Sequence, residues 1–246
     1  MKEARLDKYL TLCGLGSRSQ VREMVANGRV KVNGHVVKDS GFKVCPGVDD
    51  VCASGYEELC FKEHLYIMLH KPEGVLSATR DQQATVLDLL PPSYRRHDLA
   101  PVGRLDKDTT GLLIITDDGQ TAHGLLAPRR HVEKRYRATL DKPVTQDDAE
   151  AFQRGIALAD ITYLPAKLEV GEATAEGFTA YAYVVEGKFH QVKRMFQSCG
   201  KTVLQLHRER FGPLTLDEDL KPGECRLLTQ EEEKTLREAA KTAEKS

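Results

Sequence analysis

Apolar residues recur every three or four positions near the start of the chain, at Leu6, Tyr9, Leu10 and Cys13. This spacing predicts an amphipathic helix, which the following Gly14 would end. A second helix is predicted to begin at Ser17, because Ser17 and Gln20 have the spacing of a capping box. The first stretch of chain is therefore expected to contain two short helices.

A hairpin is predicted directly after these helices. Basic and apolar residues alternate there, as Arg29, Val30, Lys31 and Val32. The pair Asn33-Gly34 follows, which is a strong signal for a two-residue hairpin turn, and Val36 opens the returning strand. Residues 1–60 are thus predicted to form a small module of two helices and a hairpin, with Pro46-Gly47 and the acidic residues up to Glu58 ending the hairpin and forming a linker.

Residues 63–230 have a mixed pattern that predicts a larger α+β domain. The apolar run 65–69 predicts a buried strand that ends at Lys71-Pro72, and residues 135–140 and 178–185 alternate as half-buried strands do. A further strand is predicted at 203–206, and Asp118-Gly119 is predicted as a turn. A helix is predicted from the helical spacing of Val192, Met195, Phe196 and Cys199. Because the strands are joined by hairpin-like connections, the sheet is expected to be mainly antiparallel.

The last part of the chain, residues 231–246, is rich in Lys and Glu. Thr229 is placed to cap a helix at the start of this segment. We therefore expect a charged C-terminal tail that forms a terminal helix and frays.

Composition narrows the class of protein. Apolar residues make up 40% of the chain and charged residues 30%, which suits a packed core and a hydrated surface. The longest apolar runs are a few residues long, so the sequence predicts no membrane span. The first residues lead into an amphipathic helix, which is unlike a secretory leader. Six cysteines without a CxxC pair favour reduced thiols in a cytoplasmic protein and argue against a zinc site.

Charge is distributed unevenly although the net charge is only −1. Residues 1–43 contain nine Lys or Arg against four Asp or Glu, and residues 188–210 contain six against one. Residues 129–137 contain five against one. Such clusters on a nearly neutral protein indicate directed binding to a polyanion. The alternative interpretation is that each cluster is merely a hydrated surface.

The most informative segment is Gly-Arg-Leu-Asp-Lys-Asp-Thr-Thr-Gly-Leu-Leu at residues 103–113. Its pattern predicts a tight loop that runs into a buried strand and holds the carboxylate of Asp106 at the mouth. The segment resembles the catalytic loop of the pseudouridine synthases, which isomerise uridine in RNA. The resemblance implies that Asp106 attacks the nucleotide, that Arg104 fills the space of the flipped base or binds phosphate, and that no cofactor or metal is needed. The alternative is an Asp that only shapes a turn.

Two companion motifs extend the resemblance. Gly-Lys-Phe-His-Gln-Val-Lys-Arg-Met at residues 187–195 is similar to the family motif whose basic residue pairs with the catalytic Asp. Lys193 falls at that position, and Arg194 follows it, so the residue that faces the Asp is left open between the two. Glu-Lys-Arg-Tyr-Arg-Ala at residues 133–138 resembles the family segment whose Tyr, here Tyr136, stacks on the target base. A helix face in contact with solvent and a core tyrosine are the respective alternatives.

Residues 1–60 resemble the S4 RNA-binding module. The resemblance is carried by Arg-Leu-Asp-Lys-Tyr-Leu at residues 5–10, Ser-Arg at 17–18 and Gly-Arg-Val-Lys-Val-Asn-Gly at 28–34. It implies that basic side chains hold structured RNA, and the candidates are Arg5, Lys8, Arg18, Arg22, Arg29 and Lys31. The alternative is a packing unit without a partner.

Taken together, the motifs resemble the RsuA family of small-subunit pseudouridine synthases over nearly the whole chain. The resemblance implies an enzyme that converts one uridine of 16S ribosomal RNA, free or in a partly assembled small subunit, and that acts as a monomer. Two other functions stay open at this point. One is the same reaction on large-subunit (23S) RNA, and the other is a non-catalytic RNA-binding or ribosome assembly factor.

Overall fold

The structure is a computed structural model that describes residues 3–56, 61, 63–94 and 98–241. Its contacts divide the described residues into two compact units. The first unit comprises those of Met1–Leu65 and Pro91–His97, and the second those of Tyr66–Leu90 and Asp98–Ser246.

The described residues of the first unit form two α-helices, five short strands and the 3-10 helix Pro92–Tyr94. In chain order the α-helices and strands are β1 (Ala4–Arg5), α1 (Leu6–Leu12), α2 (Arg18–Ala26), β2 (Val30–Val32), β3 (His35–Val36), β4 (Lys43–Val44) and β5 (Val51–Ala53). Strands β1 and β4 form one small sheet, and β3, β2 and β5 form another in that order. Both helices pack their apolar residues, among them Leu10 and Val21, on a core with Val30 and Val51.

Local sequence signals explain this unit well. The capping box at the start of α2 is confirmed, since the Ser17 side chain accepts from the Gln20 amide and the Gln20 side chain accepts from the Ser17 amide. The hairpin is confirmed too, because Asn33 and Gly34 both have positive φ, at 49° and 79°, and connect β2 to β3. These are the backbone angles that a twisted two-residue hairpin requires.

The predicted linker is wrong over part of its length. Strands β4 and β5 lie on either side of Pro46-Gly47, and Val44, Val51 and Ala53 are buried in the core of the unit. Each strand is only two or three residues long, so acidic neighbours conceal the apolar alternation in the sequence. Of the remainder of the predicted linker, residues 57–60 lie outside the described residues.

The second unit is built on one large sheet. Its elements are β6 (Tyr66–Lys71), β7 (Ala100–Pro101), β8 (Thr109–Thr116), α3 (Gly119–Leu126), β9 (Lys134–Leu140), α4 (Gln146–Arg154), β10 (Ile156–Ala157), β11 (Thr162–Tyr163), β12 (Lys167–Thr174), β13 (Gly177–Val184), α5 (Gln191–Ser198), β14 (Val203–Phe211), β15 (Leu214–Thr215), β16 (Cys225–Leu227) and α6 (Gln230–Lys241). The main path of the sheet runs β12-β13-β9-β14-β8-β6-β16, with β15 beside β14 and β7 beside β8. Only the β8 and β14 pair is parallel among the described strands, so the expected mainly antiparallel sheet is confirmed.

Two apolar cores pack against this sheet. Helices α4 and α5 contribute Phe152 and Phe196 to one core, which also contains Leu206 of β14. Helices α3 and α6 contribute Leu125 and Leu236 to the other, together with Leu112 of β8 and other strand residues. The sequence predicted α5 from its helical spacing, and its observed bounds agree with that prediction.

Two predictions in this unit need correction. Asp118-Gly119 is not an isolated turn, because the Asp118 side chain accepts from the amides of Gln120 and Thr121 and caps α3. The C-terminal segment is not a fraying tail over its described part, since α6 buries Leu236 and Ala240 in the core. Its charged residues occupy the other faces of the helix, so its composition hides the apolar stripe.

A glycine brings the two parallel strands unusually close together. Gly111 of β8 has φ of 107°, and a Cβ atom there would lie 2.3 Å from the carbonyl oxygen of Arg208 in β14. Any other residue would push the strands apart at this point. The loop that precedes β8 is thereby held next to β14, and β9 follows as the next strand.

A bilayer-spanning helix is not found in the described part of the chain, since none of its helices is both long and apolar enough.

Candidate active site

Asp106 lies in the loop directly before β8, and the backbone around it is firmly held. The Ser77 hydroxyl donates to the carbonyl of Leu105 at 2.8 Å and accepts from the Leu105 amide at 3.1 Å. The Thr109 amide donates to the carbonyl of Asp106 at 3.1 Å, which closes the turn. Leu105 is buried while the Asp106 carboxylate reaches the surface of a cleft. The loop therefore presents Asp106 in a fixed position.

A buried lysine supports the same loop from below. The Lys71 ammonium donates to the carbonyls of Pro72, Lys107 and Thr109 at 3.0, 3.3 and 2.9 Å. Burial lowers the pKa of Lys71 to about 8, although the carboxylates of Asp108 and Asp106 oppose this shift. Lys71 is fully buried. Its three hydrogen bonds connect the end of β6 to the backbone on either side of Asp108.

Two basic side chains approach Asp106 from the start of α5. The Lys193 ammonium lies 3.4 Å from Oδ2 of Asp106 and 2.5 Å from Oδ1 of Asp108. Nε2 of His190 lies 3.5 Å from Oδ1 of Asp106. His190 has a left-handed φ of 49° at the residue before α5, which turns its ring toward the loop. The hydrogen bond from Lys193 holds the pKa of Asp108 below its usual value.

The Asp106 carboxylate is only partly buried. Its side chain keeps 29% of its exposure in the free protein. The carboxylate sits at the rim because the cleft is open. A ligand bound in the cleft would bury this group further.

Arg194 points to a different acidic residue. Its guanidinium lies 2.5 Å from Oδ1 of Asp160, and this hydrogen bond holds the pKa of Asp160 below its usual value. Of the two adjacent basic residues, Lys193 is therefore the one near Asp106.

Tyr136 faces the same cleft from β9. The apolar part of the cleft is lined by Leu105, Val184, Val192 and Leu206. Its polar and charged lining consists of Arg104, Asp106, Thr109, Tyr136, Glu186, Lys188, His190 and Gln191. Nη1 of Arg208, on the neighbouring strand β14, lies 3.5 Å from the Tyr136 hydroxyl. An aromatic ring and a carboxylate thus share one partly apolar cleft, which suits a planar base attached to a sugar.

Arg104 lies at the exposed edge of this cleft. Within the described part of the chain, no hydrogen bond or ion pair engages its guanidinium. The side chain is therefore available to a ligand in the cleft.

The six candidate RNA contacts of the first unit are all exposed, but they differ in their partners. Arg5 and Arg22 lie 3.1 and 3.2 Å from the carboxylate of Asp7. Burial alone would raise the pKa of Asp7, but hydrogen bonds from the two arginines leave it below its usual value. Arg29 donates to the carbonyl of Ser54 at 3.3 Å. The side chains of the remaining three, Lys8, Arg18 and Lys31, make no hydrogen bond or ion pair within the described residues.

Sequence reasoning missed three residues of the site. The sequence indicates only that Lys71 lies at the end of a strand, and nothing in its local pattern predicts that its side chain is buried. His190 lies within the motif at residues 187–195, but its role depends on a left-handed backbone that spacing does not indicate. Arg208 reaches the site only through the pairing of β14 with β9, which joins residues far apart in the chain.

Comparison with known proteins gives a consistent result. Residues 65–198 match the RNA pseudouridylate synthase family, and residues 4–50 match the S4 domain. The chain is 43% identical over 234 residues to the ribosomal small subunit pseudouridine synthase A of Escherichia coli K12, covering 93% of this chain and 97% of that protein. It is 42% identical over 230 residues to an uncharacterized RNA pseudouridine synthase of Bacillus subtilis, covering 93% and 96%.

A solved structure agrees with these relatives. The crystal structure of a pseudouridylate synthase superposes with a TM-score of 0.63 at 36% identity, covering 94% of this chain and 99% of that one. The resemblance inferred from the motifs is thereby confirmed at the level of the family and the fold. With its S4 domain and the catalytic domain that follows, the chain belongs to the RNA pseudouridylate synthase family.

Proposed function

We propose that this protein converts a specific uridine of 16S ribosomal RNA to pseudouridine, with Asp106 attacking the flipped nucleotide. The observation that carries the proposal is the position of the Asp106 carboxylate at a cleft that Tyr136 also lines, with Lys193 at 3.4 Å. The small-subunit substrate is supported by the E. coli relative, which is a ribosomal small subunit pseudouridine synthase.

The reaction itself sets the chemical requirements. The bond from C1′ of ribose to N1 of uracil breaks, the base turns, and a bond forms from C1′ to C5. The hydrogen on C5 leaves as a proton and N1 takes one up, so the reaction gains and loses no electrons. A nucleophilic carboxylate and a group that handles protons are sufficient for this chemistry.

Lys193 supplies positive charge beside the nucleophile. When a nucleotide enters the cleft, it displaces water from Asp106 and strengthens every electrostatic interaction there. A lysine within ion-pair distance then keeps the carboxylate in its charged, nucleophilic form. Asp108 holds the same ammonium in place from the other side.

Tyr136 and Arg104 act on the base and on the RNA around it. The target base must leave its stack to reach Asp106. Stacking on Tyr136 would return ~1–3 kcal/mol of the cost of flipping. Arg104 is exposed, and its guanidinium has no hydrogen bond or ion pair among the described residues. It fills the vacated position or binds phosphate. Arg194 binds RNA only if it leaves Asp160, so its contribution is expected to be smaller.

The S4 domain recruits the RNA. Residues 1–60 are proposed to hold structured ribosomal RNA through their basic residues, while residues 63–230, together with α6, form the catalytic part. Lys8, Arg18 and Lys31 are the strongest candidates, because Arg5, Arg22 and Arg29 already have partners within the protein. We further propose that the protein acts as a monomer in the cytoplasm, on free 16S RNA or on a partly assembled small subunit.

Mapping of pseudouridine in cells that lack the gene tests this proposal. Ribosomal RNA from the deletion strain is compared with that of strains complemented by the wild-type gene or by the Asp106→Asn variant. Loss of one 16S site that only the wild-type gene restores supports the proposal. Loss of a 23S site would contradict the substrate, and unchanged modification would favour a non-catalytic RNA-binding or assembly factor.

A further inference from the structure

Arg208 is a buried cation at the centre of the catalytic unit. Only 3% of the residue is exposed, and it lies on β14 between the strand that follows Asp106 and the strand that carries Tyr136. Its Nε donates to the carbonyl of Leu112 at 2.8 Å, and its Nη1 lies 3.5 Å from the Tyr136 hydroxyl. Its Nη2 is buried and has no hydrogen-bond partner among the described residues.

The charge of this guanidinium is not balanced locally. Among the described residues no carboxylate lies within ion-pair distance of it. One charged neighbour is Lys134, a second buried cation. The pKa of Lys134 is lowered to about 8 by burial and then by repulsion from Arg208, while the carboxylate of Glu186 opposes this shift. The ring of Phe211 lies 5.1 Å from the guanidinium carbon of Arg208 and 5.5 Å from the Lys134 ammonium. An uncompensated buried cation is costly, and such groups concentrate at functional sites.

The chemistry of arginine determines the direction of the contact with Tyr136. A guanidinium only donates hydrogen bonds, so the phenol oxygen must be the acceptor. The hydroxyl has no other hydrogen-bond partner within the described residues. Its own proton therefore points away from Arg208 and is available to a ligand in the cleft.

The strand register explains how Arg208 reaches both sides of the site. Arg208 is paired with Gly111 of β8 on one side and with Tyr136 of β9 on the other. The close approach at Gly111 places the guanidinium against the Leu112 carbonyl. The Arg208 side chain thus contacts both β8, which follows the Asp106 loop, and Tyr136, which lines the same cleft as Asp106.

We propose that Arg208 is a positioning residue for Tyr136, fixing the phenol so that its proton is directed into the cleft and keeping the ring in register with the Asp106 loop. This inference rests on the proposed function of Tyr136. It assigns to Arg208 an action on the hydroxyl group, which a purely structural arginine would not have.

A double-mutant cycle between Arg208→Gln and Tyr136→Phe tests the inference. Single-turnover rates are measured at saturating enzyme on a 16S fragment with tritium on C5 of uridine, together with RNA affinity and thermal unfolding. Arg208→Gln should slow turnover roughly tenfold, which corresponds to the loss of one charged hydrogen bond, while RNA affinity changes less than about twofold. In the Tyr136→Phe background the same change should slow turnover less than about twofold, because no hydroxyl is left to position.

Two further variants complete the experiment. Arg208→Lys keeps the charge but loses the planar, forked set of N–H donors. Its single-turnover rate should lie between those of wild type and Arg208→Gln and should show the same dependence on the Tyr136 hydroxyl. If Arg208→Gln does not fold, the same double-mutant cycle is measured with Arg208→Lys instead. Arg154→Gln, at an exposed arginine of α4, is the matched control and should leave the rate unchanged.

The outcomes separate this inference from the proposed function. Equal losses in both backgrounds, or no loss from Arg208→Gln, would overturn it, because Arg208 would then act independently of the hydroxyl. A Tyr136→Phe enzyme as fast as wild type would also overturn it, while catalysis by Asp106 would still stand. Wild-type protein without activity on any 16S fragment or particle would instead remove the proposed function itself.

Discussion

The Lys193 ammonium is closer to Asp108 than to Asp106, at 2.5 Å from the first carboxylate and 3.4 Å from the second. The side chain of Asp108 is 65% exposed and that of Asp106 is 29% exposed. In the free protein the more exposed carboxylate, Asp108, therefore holds the Lys193 ammonium next to the less exposed one, Asp106. Binding of a nucleotide would cover Asp106 and strengthen the second contact. Asp108 therefore holds Lys193 within ion-pair distance of Asp106.

This arrangement predicts a catalytic role for Lys193. Lys193→Met should lower turnover on a 16S fragment by roughly tenfold or more, because the carboxylate would lose its cation when the nucleotide excludes water. The effect is expected to be smaller than for a fully buried ion pair, since both carboxylates are partly exposed. RNA affinity should change little. Lys142→Met, at an exposed lysine of the same unit, is the control, and a variant with normal turnover but weaker RNA binding would show that Lys193 only contacts phosphate.

Lys71 should support the structure of the loop that contains Asp106. Lys71→Met removes three hydrogen bonds, although the carbonyl of Lys107 keeps the bond that the Gly74 amide donates at 2.8 Å. Each buried carbonyl left without a donor costs ~1–3 kcal/mol. Relief from burying a charge offsets part of this cost, so we expect a net loss of about 2 kcal/mol in the free energy of unfolding. Turnover should fall with it, because the loop carries Asp106. Denaturant titration and single-turnover rates check both effects, and unchanged stability together with unchanged turnover would contradict the role.

Because His207 is largely buried, we expect the free energy of unfolding to decrease in acid. Burial, followed by repulsion from Arg137 and His70, lowers its pKa to about 4 from an ordinary value of 6.5. The unfolded chain therefore takes up a proton in this range while the folded protein does not, so stability falls as the pH drops from about 6.5 to 4. This pKa shift corresponds to a loss of about 3 kcal/mol in the free energy of unfolding once the pH is below both pKa values.

Substitution of His207 isolates this effect. The variant His207→Gln cannot titrate but can still hydrogen-bond to Thr110, whose hydroxyl lies 2.8 Å from Nδ1 of the histidine. Denaturant titrations of both proteins between pH 7 and 4 should show a steeper loss for wild type. Parallel curves would mean that His207 keeps its ordinary titration in the folded state.

The S4 domain should control the salt dependence of binding. Replacing Lys8, Arg18 and Lys31 together with Gln should reduce the slope of log affinity against log salt by ~2, at ~0.7 for each phosphate contact in single-stranded RNA. Turnover at saturating RNA should persist. The charge-matched control replaces Lys142, Arg154 and Lys167 of the second unit. Equal slopes for wild type and the S4 variant would mean that this face does not contact RNA.

The sequence predicted those features that depend on neighbouring residues. Ser17 and Gln20 are three positions apart, and Asn33 and Gly34 are adjacent. The sequence therefore predicts the capping box and the hairpin turn correctly. The helix α5 was found because its apolar residues repeat at helical spacing. Asp118-Gly119 was misread because the same pair is compatible with a turn and with a helix cap.

The parts that the sequence did not predict depend on contacts between distant strands. Arg208 approaches Tyr136 only because β14 pairs with β9 in one particular register, and no local pattern specifies that register. The preference of Lys193 over Arg194 for Asp106 depends on the rotation of α5, which its packing against the apolar core sets. Adjacent basic residues cannot be distinguished by spacing alone.

The proposed reaction depends most directly on Asp106, and the Asp106→Asn variant tests this dependence. The amide matches the carboxylate in size, so thermal unfolding and affinity for a 16S fragment should equal those of wild type, while the nucleophile is lost. Tritium release from C5-labelled uridine in that fragment, measured under single-turnover conditions, should be undetectable for the variant and complete for wild type. Release by Asp106→Asn at a rate near that of wild type would contradict the central claim that this carboxylate attacks the nucleotide.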